Sequence, residues 1–313
     1  MSAWPPWACP LDGERLDGEV ELRCARGHSF ARRRGIPRFA KSGYSAGFGA
    51  QWLRYRRTQL DSYSGTTISE ERARRCLGER LWEELEGRQV LECGCGAGRF
   101  TEVLLGRGAC VTSVDLSEAV EANQENFPQS ARHRIAQADI RALPFPPRSY
   151  DLVFCLGVVQ HTPDPEETIV ALSEQVRPGA WLVFDHYSRR EQWLLSTAPL
   201  FRAYMKRLPP ERSLRTSERL VDVLLPLHRR AGRLGTLVRR VSPVQAYYDK
   251  LPLGEDAQRE WALLDTHDAL TDRYKHFRTG AQIEAVLRRV GFEEIWLNEG
   301  GNGIEARARR PLA

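Results

Sequence analysis

The chain has 313 residues and is poor in lysine, in methionine and in long apolar runs. Lysine occurs only at Lys41, Lys206, Lys250 and Lys275, so arginine supplies nearly all of the positive charge. No run of eighteen apolar residues is present, which argues against a membrane-spanning helix. The first ten residues lack a basic segment followed by an apolar stretch, which is the pattern of a secretory signal. These absences predict a soluble, cytoplasmic protein.

The cysteines argue against a disulfide framework. Seven cysteines, an odd number, are scattered along a chain of this size, whereas disulfide scaffolds are typically small and secreted. We therefore expect most of the thiols to be reduced. A hydrophobic content of 42% supports a buried core, and the length allows one sizeable domain plus an accessory one.

The charge balance leaves two classes of partner open. A net charge of +5 permits nucleic-acid binding without requiring it. The densest basic run is Arg32, Arg33 and Arg34, with Arg38 close behind. This run predicts either a solvated face or a set of phosphate contacts.

The most informative motif is LECGCGAGRF, in which Glu92, Gly94, Gly96 and Gly98 follow an apolar segment. A buried strand that leads into a glycine loop and then a helix is typical of a nucleotide-binding turn. Glycine lets the backbone approach a ligand closely, and the helix N-terminus faces that ligand. The next apolar run ends in Asp115, whose carboxylate can accept hydrogen bonds from two ribose hydroxyls. Together the two features predict an adenosine pocket.

The glycine spacing distinguishes between two kinds of nucleotide fold. A dinucleotide fold uses G-x-G-x-x-G, whereas this chain has E-x-G-x-G-x-G. In this motif the chain resembles the class I S-adenosylmethionine (SAM)-dependent methyltransferases, and by pattern the small-molecule enzymes of the quinone-biosynthesis type. Similar segments follow at 137–140, 149–165 and 171–187. The resemblance implies an α/β fold with a Rossmann-like sheet and SAM as cofactor.

The resemblance also implies a set of cofactor-binding residues. In the family, an acidic residue in the position of Asp139 faces the adenine amino group, and its neighbour, here Ile140, packs on the ring. The full implied set is Glu92, Gly94, Gly96, Gly98, Asp115, Leu116, Asp139, Ile140 and Leu156.

Methyl transfer requires alignment of the reacting groups, exclusion of water and, for some acceptors, a base. His161 follows the fourth predicted strand, and His186 and Tyr187 end the fifth, so these three residues are the catalytic candidates. His161 also has a structural interpretation, as a cap for the next helix. Further along, the polar stretch DTHDALTDRYKH at 265–276 predicts either substrate contacts or a solvated loop.

The N-terminal segment carries a second motif. Two predicted knuckles, at 9–13 and 24–28, flank an alternating strand at 19–22. This segment resembles the zinc-ribbon domain of certain rRNA guanine methyltransferases, with Asp12 in the place of a cysteine. Sulfur, imidazole and carboxylate are all zinc ligands, so the ribbon either binds a structural zinc ion or has lost it. The candidate ligands are Cys9, Asp12, Cys24 and His28.

The pattern divides the chain into five parts. We expect a zinc-ribbon-like segment at 1–42, a helical lid at 43–87, the SAM-binding core at 88–187, a helical insertion at 188–278, and a closing helix and β-hairpin at 279–313. In the lid, Gln51, Trp52 and Tyr63 are candidates to close the pocket. The insertion predicts a cap that selects the substrate, or alternatively a membrane-surface element.

Three functional hypotheses follow. The leading hypothesis is a SAM-dependent methyltransferase that modifies a small molecule, in the biosynthesis of a specialised metabolite. The second is an rRNA or tRNA base methyltransferase, which the ribbon and the arginine run favour and the long insertion disfavours. The third is a catalytically silent SAM-binding scaffold.

Overall fold

The computed structural model describes residues 4–41, 43–188, 197–230, 238, 241–247, 251–301 and 303–312. Its N-terminal part is a three-stranded antiparallel sheet of β1 (Glu21–Arg23), β2 (Ser29–Arg33) and β3 (Ile36–Pro37). The strand that the sequence predicts at 19–22 begins two residues later. Asp17 and Arg23 exchange backbone hydrogen bonds, and residues 18–20 turn the chain between them.

The main body is built on a seven-stranded sheet. Its order is β6-β5-β4-β7-β8-β10-β9, with β4 to β8 parallel and β10 antiparallel to both of its neighbours. This arrangement confirms the predicted α/β fold with a Rossmann-like sheet, and the last strand of the chain runs antiparallel to its neighbours. The strands are β4 (Gln89–Cys93), β5 (Cys110–Asp115), β6 (His133–Gln137), β7 (Tyr150–Cys155), β8 (Val176–Tyr187), β9 (Glu293–Gly300) and β10 (Gly303–Arg309).

Both faces of this sheet are covered by apolar side chains. Successive residues of one strand point to opposite faces, and both members of the pair Val90 and Leu91 are fully buried. Leu91 belongs to one hydrophobic cluster and Val90 to the other. Helices lie on the two faces and at the carboxyl ends of the strands. They are α1 (Ala46–Arg54), α2 (Asp61–Ser64), α3 (Ile68–Glu83), α4 (Arg99–Gly106), α5 (Ala119–Asn126), α6 (Pro165–Glu174), α7 (Ala198–Met205), α8 (Pro210–Arg230), α9 (Glu255–Thr271) and α10 (Gly280–Arg289).

Strand β8 starts earlier than the sequence predicts. The pattern places a Pro-Gly turn ahead of a strand near 180–186, whereas β8 begins at Val176 and contains that turn. Tyr150 of β7 pairs with Val176, and Leu152 pairs with Trp181, so a step of two residues in β7 matches a step of five in β8. The turn is therefore accommodated as an irregularity within the strand.

Helix α3 is capped by a residue that the sequence pattern did not indicate. Ser69 lies inside the helix, and its hydroxyl donates a hydrogen bond to the carbonyl of Gln59. The carboxylate of Asp61 instead accepts the backbone N–H groups of Ser69 and Glu70, at 2.9 and 2.8 Å. This cap comes from outside the helix and ties α2 to α3.

The arginine run of the ribbon forms ion pairs with acidic residues of the main body. Arg34 lies 3.2 Å from Glu121 and 3.5 Å from Glu125, both on α5, and Arg38 also pairs with Glu121. Arg33 lies 3.8 Å from Glu118 at the start of the same helix. These ion pairs join the ribbon to the main body, while the side chains of Arg33 and Arg34 remain 71% and 57% exposed to solvent.

The insertion folds as a helical cap whose own small core joins α8 and α9. Val221 and Leu225 of α8 pack with Ala262 and Leu263 of α9 and with Val244. Part of the predicted insertion, including 189–196 and 231–237, lies outside the described residues. Among the helices that the structure describes, none has the length and apolar character needed to cross a membrane.

Candidate active site

A cavity of about 710 Å³ lies at the carboxyl ends of the parallel strands. Its walls include the loops that follow β4 to β7, the end of β8, the lid helices α1 and α3, and the cap helix α9 with the segments on either side of it. Ligands of open α/β sheets bind at this end of the strands, outside the sheet. The cavity volume falls within the range of small-molecule and cofactor sites.

The glycine loop forms one wall of the cavity. Gly94 adopts a positive φ of 74°, and a Cβ atom added there would lie 2.2 Å from Cγ2 of Val158. The backbone can therefore follow this path only without a side chain. The N–H groups of Gly94 and Cys95 both donate to the carbonyl of Val114, at 2.8 and 3.0 Å, which ties the loop to the end of β5.

Asp115 lies at the end of β5, where the sequence predicts it, and lines the cavity. One carboxylate oxygen accepts the N–H of Gly96 at 3.0 Å, and the other accepts the N–H and hydroxyl of Ser117 at 2.8 and 2.7 Å. These bonds fix the carboxylate beside the glycine loop, and burial raises its pKa. The apolar residues predicted around the cofactor also line the cavity, namely Leu116, Ile140 and Leu156.

Three members of the predicted cofactor set do not line the cavity among the residues that the structure describes. Glu92 is buried beneath the loop, where it accepts hydrogen bonds from the hydroxyls of Thr101 and Ser113 at 2.6 and 2.8 Å. At Gly98 an added Cβ atom would lie 2.7 Å from the ring of Phe127, so this glycine serves the close packing of α4. Asp139 caps the short helical turn at 140–142 and pairs with Arg141 at 2.8 Å.

Glu92 gives a stability prediction. Burial raises the pKa of its carboxyl to about 7 from 4.5, so folding favours the protonated form. The penalty for an ionised Glu92 is absent below about pH 4.5 and complete above about pH 7. We therefore expect Glu92→Gln to gain about 2–3 kcal/mol of unfolding free energy relative to wild type on going from pH 4.5 to pH 8. Urea unfolding at the two pH values measures this difference.

The exposed Glu83 provides the control, because Glu83→Gln should show no such pH-dependent difference. An unchanged difference between Glu92→Gln and wild type across this pH range would show that Glu92 is not protonated on folding.

Two of the three catalytic candidates line the cavity. Tyr187 and His161 line the cavity, with their ring centroids 5.2 Å apart. His186 is fully buried and is not among the described residues that line the cavity, because neighbouring residues of a strand point to opposite faces. Burial lowers the pKa of both His161 and His186 to about 4, which makes each ring a weak proton acceptor near neutral pH.

The polar stretch at 265–276 lies largely on α9 and is not a solvated loop. Asp265 and Asp268 line the cavity, whereas His267 is buried with its ring nitrogen 3.1 Å from the hydroxyl of Ser217. Asp272 is buried beside His161, at 3.0 Å, and pairs with Arg202. Only part of this stretch therefore lines the cavity.

Comparison with known proteins agrees with this geometry. Residues 91–184 match the model of a family described as "Methyltransferase domain". We name this segment the methyltransferase domain after the family that it resembles.

Curated relatives of the methyltransferase domain include ubiquinone biosynthesis O-methyltransferases. The protein from Leptothrix cholodnii is 32% identical over 135 residues, which are 42% of this chain and 57% of that protein. The protein from Pseudomonas savastanoi pv. phaseolicola is 36% identical over 109 residues, which are 34% of this chain and 47% of that protein. The chain thus spans about half the length of the curated relatives that it matches.

A solved structure of a SAM-dependent methyltransferase from Mesorhizobium loti is also similar to the chain. It has 18% sequence identity and a TM-score of 0.46, and the match covers 77% of this chain and 98% of that one.

The lid helix α1 connects the methyltransferase domain to the cap. Trp52 lines the cavity next to Gly96, and Gln51 is buried and donates a hydrogen bond to Asp268. Tyr63, the third lid candidate, is 45% exposed and stacks with Arg57 outside the cavity.

Several cavity residues carried no motif in the sequence. Arg99 begins α4, and its guanidinium lies 5.1 Å from the ring of Trp261 on the cap helix. Burial lowers the pKa of Arg99 to about 10. Tyr247 donates a hydrogen bond to Asp265 from the loop before α9. The contact of Arg99 with Trp261 joins segments more than 140 residues apart, and no local pattern indicates it.

The predicted metal ligands come together ahead of the methyltransferase domain. One ligand atom from each of Cys9, Asp12, Cys24 and His28 lies within 4.8 Å of the others. Nδ1 of His28 is 2.8 Å from Asp12, 3.4 Å from Cys9 and 3.5 Å from Cys24. Tetrahedral zinc with these ligand types has ligand-to-ligand separations of roughly 3.3–3.8 Å, so the four groups need only small shifts to bind it.

Proposed function

We propose that this protein is a SAM-dependent methyltransferase that transfers a methyl group to a small-molecule acceptor in the biosynthesis of a specialised metabolite. One observation carries the proposal: the glycine loop, Asp115 and the cap helix α9 line a single cavity. A cofactor held by the loop would therefore share one cavity with an acceptor held by the cap. Binding in a shared cavity aligns two small reactants and limits their contact with water.

Within this proposal, different cavity residues contact different parts of the cofactor. Asp115 would accept hydrogen bonds from the ribose hydroxyls, and Leu116 and Ile140 would flank the adenine ring. Gly94 and Gly96 would let the loop approach the methionine part of SAM, beside Leu156. Asp139 would reach the adenine amino group only after leaving Arg141, so we assign it a smaller effect.

The seven cysteines are all free thiols in the structure. This state fits the cytoplasmic location that we propose, where thiols are kept reduced.

Two measurements test the proposed function. Isothermal titration calorimetry with SAM and with S-adenosylhomocysteine should show one site per chain. Incubation with SAM and a mixture of candidate acceptors should release S-adenosylhomocysteine. The mass of one acceptor should rise by about 14 Da per methyl group, which is the mass of one CH₂. Absence of cofactor binding would refute the proposal. Binding without turnover of any acceptor would favour the silent scaffold.

We further propose that the ribbon binds a structural zinc ion through Cys9, Asp12, Cys24 and His28. The protein purified without chelator should contain about one zinc per chain by elemental analysis, and a chelator should lower its melting temperature. Asp12→Cys should hold zinc at higher chelator concentrations, since thiolate is a softer ligand than carboxylate. Cys110→Ser, outside the cluster, is the matched control. Zinc-free protein with an unchanged melting temperature in chelator would contradict the proposal.

A further inference from the structure

Two carboxylates of the cap helix α9 face the cavity. Asp265 and Asp268 are three residues apart and therefore lie on one side of the helix. Between residues 261 and 270 these two side chains are partly accessible, while the other eight residues are buried. Both line the cavity, so their accessible surface is turned toward it. Neither carboxylate belongs to the proposed set of cofactor-binding residues.

Asp268 is joined to the glycine loop through consecutive residues of α1. Gln51 donates a hydrogen bond from its side-chain amide to a carboxylate oxygen of Asp268. The next residue, Trp52, lies against Gly96, where an added Cβ atom would be 3.5 Å from the indole. The carboxylate is thus held in a fixed orientation on the cap side of the loop that would bind SAM.

Tyr187 offers a hydroxyl in the same cavity. Its ring is flanked by His161 and by Phe277, with ring centroids 5.2 and 6.0 Å away. In the part of the chain that the structure describes, no residue forms a hydrogen bond with the Tyr187 hydroxyl. A polar group that lines a cavity without a protein partner is available to a ligand.

We propose that Asp268 accepts the proton of an acceptor hydroxyl while Tyr187 hydrogen-bonds the same oxygen, so that methylation takes place at oxygen. This inference rests on the proposed methyltransferase function and assigns its acceptor chemistry. Phe48, Trp261 and Tyr247 also line the cavity, so a flat hydroxylated ring fits its walls.

The proposed step transfers one methyl group to the acceptor and removes one proton from it. The acceptor oxygen forms a bond to the methyl carbon, and the carbon–sulfur bond breaks with its electron pair left on sulfur. The hydroxyl proton passes to Asp268, which later returns it to water. Bound SAM would supply the electrophilic methyl group, and the products would be a methyl ether and S-adenosylhomocysteine.

The electrostatic surroundings suit this role near neutral pH. Burial, together with the neighbouring Asp265, raises the pKa of Asp268 to about 7, against the opposing effects of Gln51, His161 and Lys275. Burial also lowers the pKa of Lys275 to about 7. A base is most effective when its pKa lies near the working pH, which favours Asp268 over His161.

A chromophoric phenol tests proton transfer without turnover. 4-Nitrocatechol changes colour when its hydroxyl ionises, and it can be bound to the protein saturated with S-adenosylhomocysteine. With the wild type, we expect the ionised colour above about pH 7. With Asp268→Asn, which keeps an oxygen for Gln51, the ionised colour should appear only at a higher pH. A charge that merely repels the phenolate predicts the opposite sign, a stronger colour in Asp268→Asn, and that result would overturn the inference.

Kinetics provide the second readout. With a hydroxylated aromatic acceptor such as 3,4-dihydroxybenzoate, Asp268→Asn should lower kcat about 10²–10⁴-fold with the KM for SAM unchanged. The rise of kcat/KM through about pH 7 should disappear, Asp268→Glu should recover part of the activity, and the deficit should shrink for 4-nitrocatechol, which ionises more readily. A kcat within threefold of wild type would refute the role of Asp268.

A matched variant provides the control, and SAM binding distinguishes failure of the acceptor assignment from failure of the proposed function. Asp256, exposed at the start of α9, gives the matched variant Asp256→Asn, which should behave as wild type. If SAM binds but no hydroxylated aromatic in a panel is methylated, the acceptor assignment fails and the cofactor assignment stands. If SAM does not bind to the wild type, the proposed function itself fails.

Discussion

Replacing Asp115 by alanine is expected to weaken SAM binding about 10²–10³-fold. The substitution removes a carboxylate placed to accept two charge-assisted hydrogen bonds from the ribose, and each such bond contributes about 1.5–3 kcal/mol. It also removes the acceptor that holds the N–H of Gly96 at 3.0 Å. The glycine loop would then lose part of its orientation as well as its ribose partner.

Calorimetric titration of SAM into wild type and Asp115→Ala measures this effect. Asp256→Ala, an exposed change on α9, should bind SAM as tightly as wild type. Asp115→Asn should lie between the two, because its amide can accept one hydrogen bond but carries no charge. Equal affinities for wild type and Asp115→Ala would contradict the assignment of the ribose site.

Replacing Gly94 by alanine is expected to remove both stability and cofactor binding. The positive φ at this position costs a residue with a side chain about 1–2 kcal/mol. The new methyl group would also meet Val158, at 2.2 Å from its Cγ2 atom, and overpacking of this kind adds about 1–3 kcal/mol. Because Val158 also lines the cavity, its displacement should narrow the site. We expect a melting temperature about 5–10 °C lower and SAM binding weakened at least about tenfold.

Gly106, at the other end of the following helix α4, gives the matched control. An added Cβ atom there meets nothing within 4 Å, and the residue has no positive φ. Gly106→Ala should therefore leave SAM binding unchanged and preserve or slightly raise the melting temperature. A Gly94→Ala protein with wild-type stability and affinity would show that the loop tolerates a side chain and that its close approach is not required.

The parallel core was predictable because its signals are local. Strands β4, β5 and β7 each contain a short apolar segment, the glycine loop directly follows β4, and Asp115 ends β5. The antiparallel closing hairpin could also be predicted, from the resemblance of 279–313 to the end of the family sheet. Parallel strands bring their carboxyl ends to one edge, so these separate motifs meet there in the structure.

The remaining site residues depend on packing that no local pattern shows. His186 and Tyr187 are neighbours in sequence, and only the register of β8 decides which one faces the cavity. Asp268 is distinguished from His267 by the side of α9 that packs against α8. The caps of helices can also come from distant residues, as with Asp61, because any nearby carboxylate satisfies the first N–H groups.

The arginine run shows the same limit for charge. Counting residues on the ribbon leaves solvent and phosphate as the expected partners. The structure also provides acidic partners on α5, about 85 residues further along the chain. Composition does not reveal ion pairs between residues so far apart in sequence. Arg34 and Arg38 thus contribute to the attachment of the ribbon to the main body.

A crystal structure of the protein soaked with S-adenosylhomocysteine tests the central assignment most directly. We expect the adenosine to lie in the cavity with both ribose hydroxyls within hydrogen-bonding distance of the carboxylate at the tip of β5, and the homocysteine sulfur to point toward α9. Electron density for the nucleoside at another place, or a cavity that stays filled by protein side chains at saturating ligand, would contradict this account.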